Sequence, residues 1–498
     1  MKRILVFLSL LYLFVFGLQD SLLAGDTLRA TLSTSLNQLF PAKATRGEEY
    51  VYDVLVFNGL TQIDEDLNIT GDLAERWTSS ADLKTWTFYL RKGVKFHHGK
   101  ELTSEDVIKT FELIADPKTA SRVASHAELI ERMEAVDRYT VRFTLNMPYA
   151  GWADLMVERQ LKIVPSDRTD KLSTEPSGTG PFMLKEFTPE DKMVLVKNPN
   201  YFIKGQPKLD RIVFRFMPES ASRVAALEAG DIDLTWDLPY EAIDKLKKNS
   251  NIVVDSVPTS SWEGFVLHNH QKPFDDVRVR RALNLAVDKQ KLVDIAVFGH
   301  GAPTHSPISP RHPYFNKDIG FKTDIREAKR LLAEAGYPKG FTIKLFVPIG
   351  RLVRERNGVA IQQMLKAIDV NAEIQRVPYS NWAATVSGKA PFYTDGYFTR
   401  PTVDTSTHPW YHSKGSWNTR MWSYTNPAVD DVLDKTRATK DPAEMLKLYQ
   451  DFQRLVVENP PGIVMYVTNF VNAYNKKLKG FRTHPYLWLD LRNAYFEK

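Results

Sequence analysis

The chain has 498 residues, 43% hydrophobic and 25% charged, with no cysteine and a formal charge of +6. That length exceeds one ordinary core and implies two or three domains, in a composition typical of globular proteins. Without cysteine there is no disulfide, thiolate metal site, cysteine nucleophile or lipid-modified N-terminal cysteine, and the small, dispersed positive charge argues against nucleic acid.

Lys2 and Arg3 precede an apolar run from Ile4 to Leu18, which is short of the roughly 20 residues of a spanning helix. We read residues 1–24 as a signal peptide with Ala24 as the cleavage point, although Leu22 is larger than the residue usual there. An uncleaved anchor is the alternative. Nothing later in the sequence is long and apolar enough to span a bilayer.

Thr27 to Leu32 alternates and predicts the first strand, followed by the polar loop Ser33-Thr34-Ser35. Tyr50 to Leu60 predicts a helix ending at Gly59. Leu73–Trp77, Trp86–Leu90 and Val94–Phe96 form a strand-rich block. Thr103 can cap a helix with Asp106 at its third position, and Asp116-Pro117 stops it. Val141 to Leu145 is a further strand. Gly178, Gly180 and Pro181 lead into a hairpin of Met183–Phe187 and Met193–Val196.

Strand Arg211–Phe216, helix Ala221–Ala229 with Gly230 as its cap, and strand Asp231–Leu234 imply a parallel α/β sheet. Ser261 to Asn269 reads as an extended crossing segment. Asp276 and Asp288 cap two successive helices, and Asp324 to Ala335 is another. Strands Phe341–Val347 and Ala372–Val377 flank a helix through Ile361, Met364 and Ile368. Asp441, Pro442 and Glu444 open a long helix, and Ile463 to Val467 returns to strand.

No Gly-x-Ser-x-Gly, His-Glu-x-x-His or phosphate-loop pattern occurs, so no enzyme is read, and no cofactor. A carboxylate pair on a two-lobed scaffold, an exported hydrolase, is the alternative of another class. His268 and His270 on one side of a strand have a metal-binding spacing, but no third ligand lies near in sequence, and no metal site is expected. His97, His98, His300 and His305 are expected to be solvated.

Four stretches resemble the family 5 extracellular solute-binding proteins, the peptide, nickel and opine receptors of ABC importers. They are DLAERWTSSADLKTWTFYLRKGVKFHHGKELTSEDVIKTFE from Asp72, SGTGPFMLKEFTPEDKMVLVKNPNYF from Ser177, FDDVRVRRALNLAVD from Phe274 and EAKRLLAEAGYPKGF from Glu327. The likeness runs in order over nearly all of the chain after residue 24. It implies an α/β, two-lobed fold of the type II periplasmic-binding-protein kind. Residues 25–50, 172–262 and 464–498 would form lobe I, with 51–171 as an inserted subdomain and 263–463 as lobe II. The solute would sit between the lobes, and the chain would be a periplasmic monomer, soluble and without a lipid anchor. Its partners would be a peptide-like solute and a membrane permease with its ATPase, with an opine-like or other anionic solute or an oligosaccharide as alternatives.

Clefts of this type combine apolar walls with a few fixed polar groups. Ser33, Thr34 and Ser35 are candidates, as are Trp262 and Phe265 on the crossing segment. Arg351 could hold a carboxylate, or be an ordinary loop arginine. Trp382, with Trp410 and Trp417, could wall a pocket or pack a core. The segment Tyr393 to Asp404 matches in position the family pattern Gly-Trp-x-x-Asp-Tyr-x-x-Pro, whose aspartate pairs with the ligand ammonium in peptide receptors. Here Tyr397 or Phe398 stands in that place and Arg400 follows, which would favour an anionic group. Asp395 and Asp404 remain candidates for an amine.

Overall fold

The computed structural model describes residues 26–320 and 322–497. The signal-peptide reading therefore lies outside the described residues. An eleven-stranded sheet runs through the molecule. At one end Thr27–Leu32 pairs in parallel with Arg211–Phe216 and with Leu234–Thr235, as a strand-helix-strand unit requires. The hairpin Phe182–Thr188 and Lys192–Lys197 extends that end. At the other end Phe341–Ile349 pairs in parallel with Val370–Pro378.

Two long antiparallel strands, Ile252–Leu267 and Ile463–Asn475, join the ends. Their register breaks between Pro258 and Trp262. Proline cannot donate to the ladder, so a break there is physically placed. Apolar burial divides at the same point. One core gathers residues from Leu28 to Trp236 and from Phe470 to Ala494. Two others, built around Phe392 and around Trp410, take all their buried residues from Trp262 to Val467. We call these halves the first and second lobes.

The first lobe also carries a four-stranded antiparallel sheet from Ala74–Ser79, Thr85–Leu90, Ile130–Asp137 and Thr140–Leu145. Val94–Phe96 does not add a strand to it. Gly93 and Gly99, at φ 74° and 99°, fold this stretch into a turn closed by the bridge Lys95–Glu101. Helix Gly47–Val56 begins and ends earlier than the pattern suggests. Glu49 fixes its start by accepting the backbone N–H groups of Thr45 and Arg46, at 2.6 and 3.0 Å. The helix Ser104–Ala115 has the predicted Thr103/Asp106 capping box.

The hairpin entry depends on close backbone approach. A Cβ on Gly178 would lie 1.9 Å from the Val56 carbonyl oxygen, and Gly180 N–H donates to that oxygen at 2.9 Å. The neighbouring histidines hold the entry in place instead of standing in solvent. His98 Nδ1 lies 2.6 Å from Ser177 Oγ, and His97 Nε2 lies 3.0 Å from the Gly180 carbonyl oxygen. His305 is likewise buried, because its loop folds back against Phe315. His268 and His270 sit in a turn after the strand, with ring centroids 6.4 Å apart.

Candidate functional site

The lobes meet along a polar seam. From the first lobe it takes Glu158-Arg159-Gln160, polar residues in a stretch from Leu155 to Val164 that also holds Lys162, and all four side chains are buried. From the second lobe it takes the segment that follows strand Phe392–Tyr397. The C-terminal segment adds Tyr486.

Glu158 Oε1 is the centre. It accepts from Arg400 Nη1 at 2.9 Å, from Tyr486 Oη at 3.2 Å and from the Arg159 backbone N–H at 3.1 Å. Arg159 Nη2 donates across the seam to the Thr399 carbonyl oxygen at 3.0 Å, and to that of Tyr486 at 2.6 Å. Aromatic faces support both guanidinium groups: Arg159 lies 3.8 Å from the Tyr486 ring centre, and Arg400 lies 4.4 Å from that of Tyr397.

Two guanidinium groups thus lie beside one carboxylate, paired to Arg400 alone, which leaves an excess positive charge. Arg159 Nε and Nη1 and Arg400 Nε are buried and have no hydrogen-bond partner. Burial alone would raise the Glu158 carboxyl, but Arg400 and Arg159 outweigh it and hold the group below its ordinary value. Burial pushes the nearby Tyr50 hydroxyl up to about 12, so it stays a neutral donor. The site is a fixed set of N–H and O–H donors, suited to a carboxylate.

Arg400 is therefore at the seam, and Tyr397 supports it. Phe398 is half exposed beside them. Asp404 is in the seam but is fully engaged. Arg437 Nε and Nη2 donate to it at 2.8 and 3.0 Å, and Tyr149 Oη at 2.6 Å. Burial opposes its charge, yet Arg437 holds the carboxyl down at about 2. Asp395 is paired with Arg354 Nη1 at 3.0 Å, and the same guanidinium reaches Glu263 through Nε at 3.1 Å.

Of the remaining candidates, Trp410 and Trp417 pack edge-on against Tyr397 at 5.4 and 5.8 Å and Trp262 pairs with it across the sheet, while the others lie elsewhere. Ser33 Oγ donates to Glu48, Ser35 Oγ accepts the Glu190 N–H at 3.1 Å, and Thr34 is exposed. Arg351 is exposed and stacks on Tyr379 at 4.0 Å. Trp262 packs against Trp410 at 4.9 Å, and Trp410 stacks on Trp417 at 5.7 Å. Trp382 and Phe265 are buried against Tyr393 and Phe392.

Among the described residues, His408, His412 and Asp434 bring possible metal-ligand atoms within 4.8 Å of one another. His408 stacks on the His412 ring at 4.4 Å. His412 Nδ1 accepts the Lys414 N–H at 3.1 Å, which puts the ring proton on Nε2, 3.4 Å from Asp434.

Sequence reasoning missed Glu158, Arg159, Tyr486, Tyr149 and Arg437. A signal existed for the first two, since three consecutive polar residues flanked by apolar ones are costly to bury without partners.

Comparison with known proteins places this architecture. The family model described as "Bacterial extracellular solute-binding proteins, family 5 Middle" matches residues 68–418. The chain belongs to this family. This family 5 protein is 30% identical over 443 residues to the glutathione-binding protein GsiB of Shigella boydii serotype 4, with 86% of each chain covered. Its fold superposes on the binding protein AgaA of A. tumefaciens R10, in complex with agropinic acid, with a TM-score of 0.84 and 27% identity, over 95% of this chain and 99% of the other. The periplasmic binding protein DppA of Helicobacter pylori, in complex with the peptide STSA, gives a TM-score of 0.84 at 26% identity, over 95% and 98%.

The two-lobed type II fold is thereby shown, and so is the role: the solute-binding component of an ABC importer, not an enzyme. The hydrolase alternative falls with it. Proteins of this class bind small solutes and deliver them to a permease and its ATPase. Among the described residues no helix is long and apolar enough to cross a membrane.

Proposed function

We propose that this receptor captures a carboxylate-bearing, peptide-like or opine-like solute between its lobes, with Arg159 and Arg400 holding the carboxylate. One observation carries the reading: three buried guanidinium nitrogens without a protein partner, beside a single carboxylate that pairs with Arg400 alone. Leaving such donors unpaired is costly, and an added anion satisfies both charge and hydrogen bonding. The solutes named with the relatives fit this chemistry, since glutathione and agropinic acid both carry carboxylates.

Closing is a hinge motion about the register break between Pro258 and Trp262, with the boundaries read from the sequence as the limits of the moving bodies. The protein acts as an exported periplasmic monomer. Mass spectrometry of small molecules released on denaturation, with a thermal-shift panel of glutathione, mannopinic acid, short peptides and neutral oligosaccharides, tests the reading. Carboxylate-bearing solutes should raise the melting temperature. A response to neutral sugars alone would overturn it.

A further inference from the structure

A second contact between the lobes lies beside the arginine cluster and is built differently. Tyr149 and Ala150 belong to the first lobe, Asp404 and Arg437 to the second. Tyr149 Oη donates to Asp404 Oδ2 at 2.6 Å, and Ala150 N–H donates to the Arg437 carbonyl oxygen at 2.7 Å. The Arg437 guanidinium also lies 4.8 Å from the Tyr149 ring centre. Tyr149, Asp404 and Arg437 are all at least nine-tenths buried.

The charges at this contact are settled within one lobe. Asp404 and Arg437 form a two-pronged pair on the second lobe alone. Parting the lobes therefore breaks hydrogen bonds from Tyr149 and Ala150 but separates no ions. Opening at Glu158–Arg400, by contrast, pulls a carboxylate from a guanidinium and demands hydration of both. Both oxygens of Asp404 already accept from protein donors, and its charge is matched by Arg437 within the same lobe.

We infer that Tyr149, with the Asp404–Arg437 pair it docks on, is a latch that sets the closing equilibrium of the lobes without touching the solute. This rests on the receptor reading above. Tyr149 and Asp404 are positioning residues: they tighten every solute equally by stabilising the closed form. Arg159 and Arg400, which face the solute, determine which solute is chosen.

The absence of native cysteine allows clean labelling for the test. Dyes on Lys118→Cys and Ala443→Cys, both exposed and one on each lobe, report the closed fraction by energy transfer. Tyr149→Phe removes one hydrogen bond and leaves Asp404 paired, so the fold is kept. We expect a lower closed fraction in solute-free Tyr149→Phe than in the parent. Wherever glutathione or mannopinic acid binds the parent, Kd should rise for each by the same factor, about ten- to a hundredfold, the worth of one buried hydrogen bond to a charged group. An unchanged closed fraction would overturn the latch, and so would a factor that differs between the two solutes. If neither solute binds, the solute-free measurement still decides the latch, and the failure belongs to the receptor's assigned solute class.

Discussion

The buried ionisable residues away from the seam make stability depend on pH. Burial, with Lys289 nearby, holds the His305 imidazole down at about 3, and burial also lowers His484. In the unfolded chain an imidazole titrates near ~6.5. Below that pH the unfolded chain binds protons that the folded one refuses, so these groups reduce stability as pH falls. Burial likewise lowers Lys289 to about 7, where its ammonium donates to the carbonyl oxygens of Thr304 and Val464. From there to about 10.4 the unfolded chain again holds the extra proton, and stability rises with pH. Asp237 opposes the trend. Desolvation and then Glu48 raise it to about 6, so it adds stability as pH falls from about 6 to about 4. The imidazoles and Lys289 outnumber it, and the melting temperature should rise between pH 5 and pH 8 in calorimetric scans. Lys289→Met should flatten the alkaline part of that rise.

Individual elements were legible where their signals are local. Asp276, Asp288, Asp324 and Asp441 each accept a backbone N–H at the start of the predicted helix. Gly230 closes its helix at φ 79°. Such caps act within three or four residues, so the sequence states them directly. The seam was not legible in the same way, because Glu158 and Arg400 are 242 positions apart. Helix Val403–Tyr411 was hidden by Pro409 inside it and by the polar run before it.

One glycine of the hairpin entry, set against one in the turn after the hairpin, gives a sharper test at this scale. Gly178→Ala would drive a methyl group into the Val56 carbonyl and should cost about 3 kcal/mol, near the upper end for overpacking. Gly205→Ala meets open space but sits at φ 83°, and should cost only about 1 kcal/mol. Denaturant melts of both variants check the order, and equal losses would show that the close approach at Val56 is not rigid.

At the scale of the molecule, the core of the first lobe and the two cores of the second divide at a register break in two shared strands. That arrangement permits rotation of one half against the other while each core stays packed, since packed interiors resist deformation and hinges absorb it. The two-lobed class was legible because long ordered segments resemble one family, and the family match agrees. The solute was not, because a shared fold hosts many ligands. A saturating carboxylate-bearing solute should contract the protein, seen as a smaller radius of gyration in small-angle X-ray scattering. A value unchanged on binding would mean that capture needs no closing.

Titration calorimetry with one carboxylate-bearing solute, on the parent chain and on Arg400→Ala, tests the central claim most directly. Removing one partner of a buried charge pair costs about 2–5 kcal/mol, so affinity should fall at least about thirtyfold while the melting transition persists. Equal affinity in the two proteins would contradict the assignment of Arg400 to the solute carboxylate.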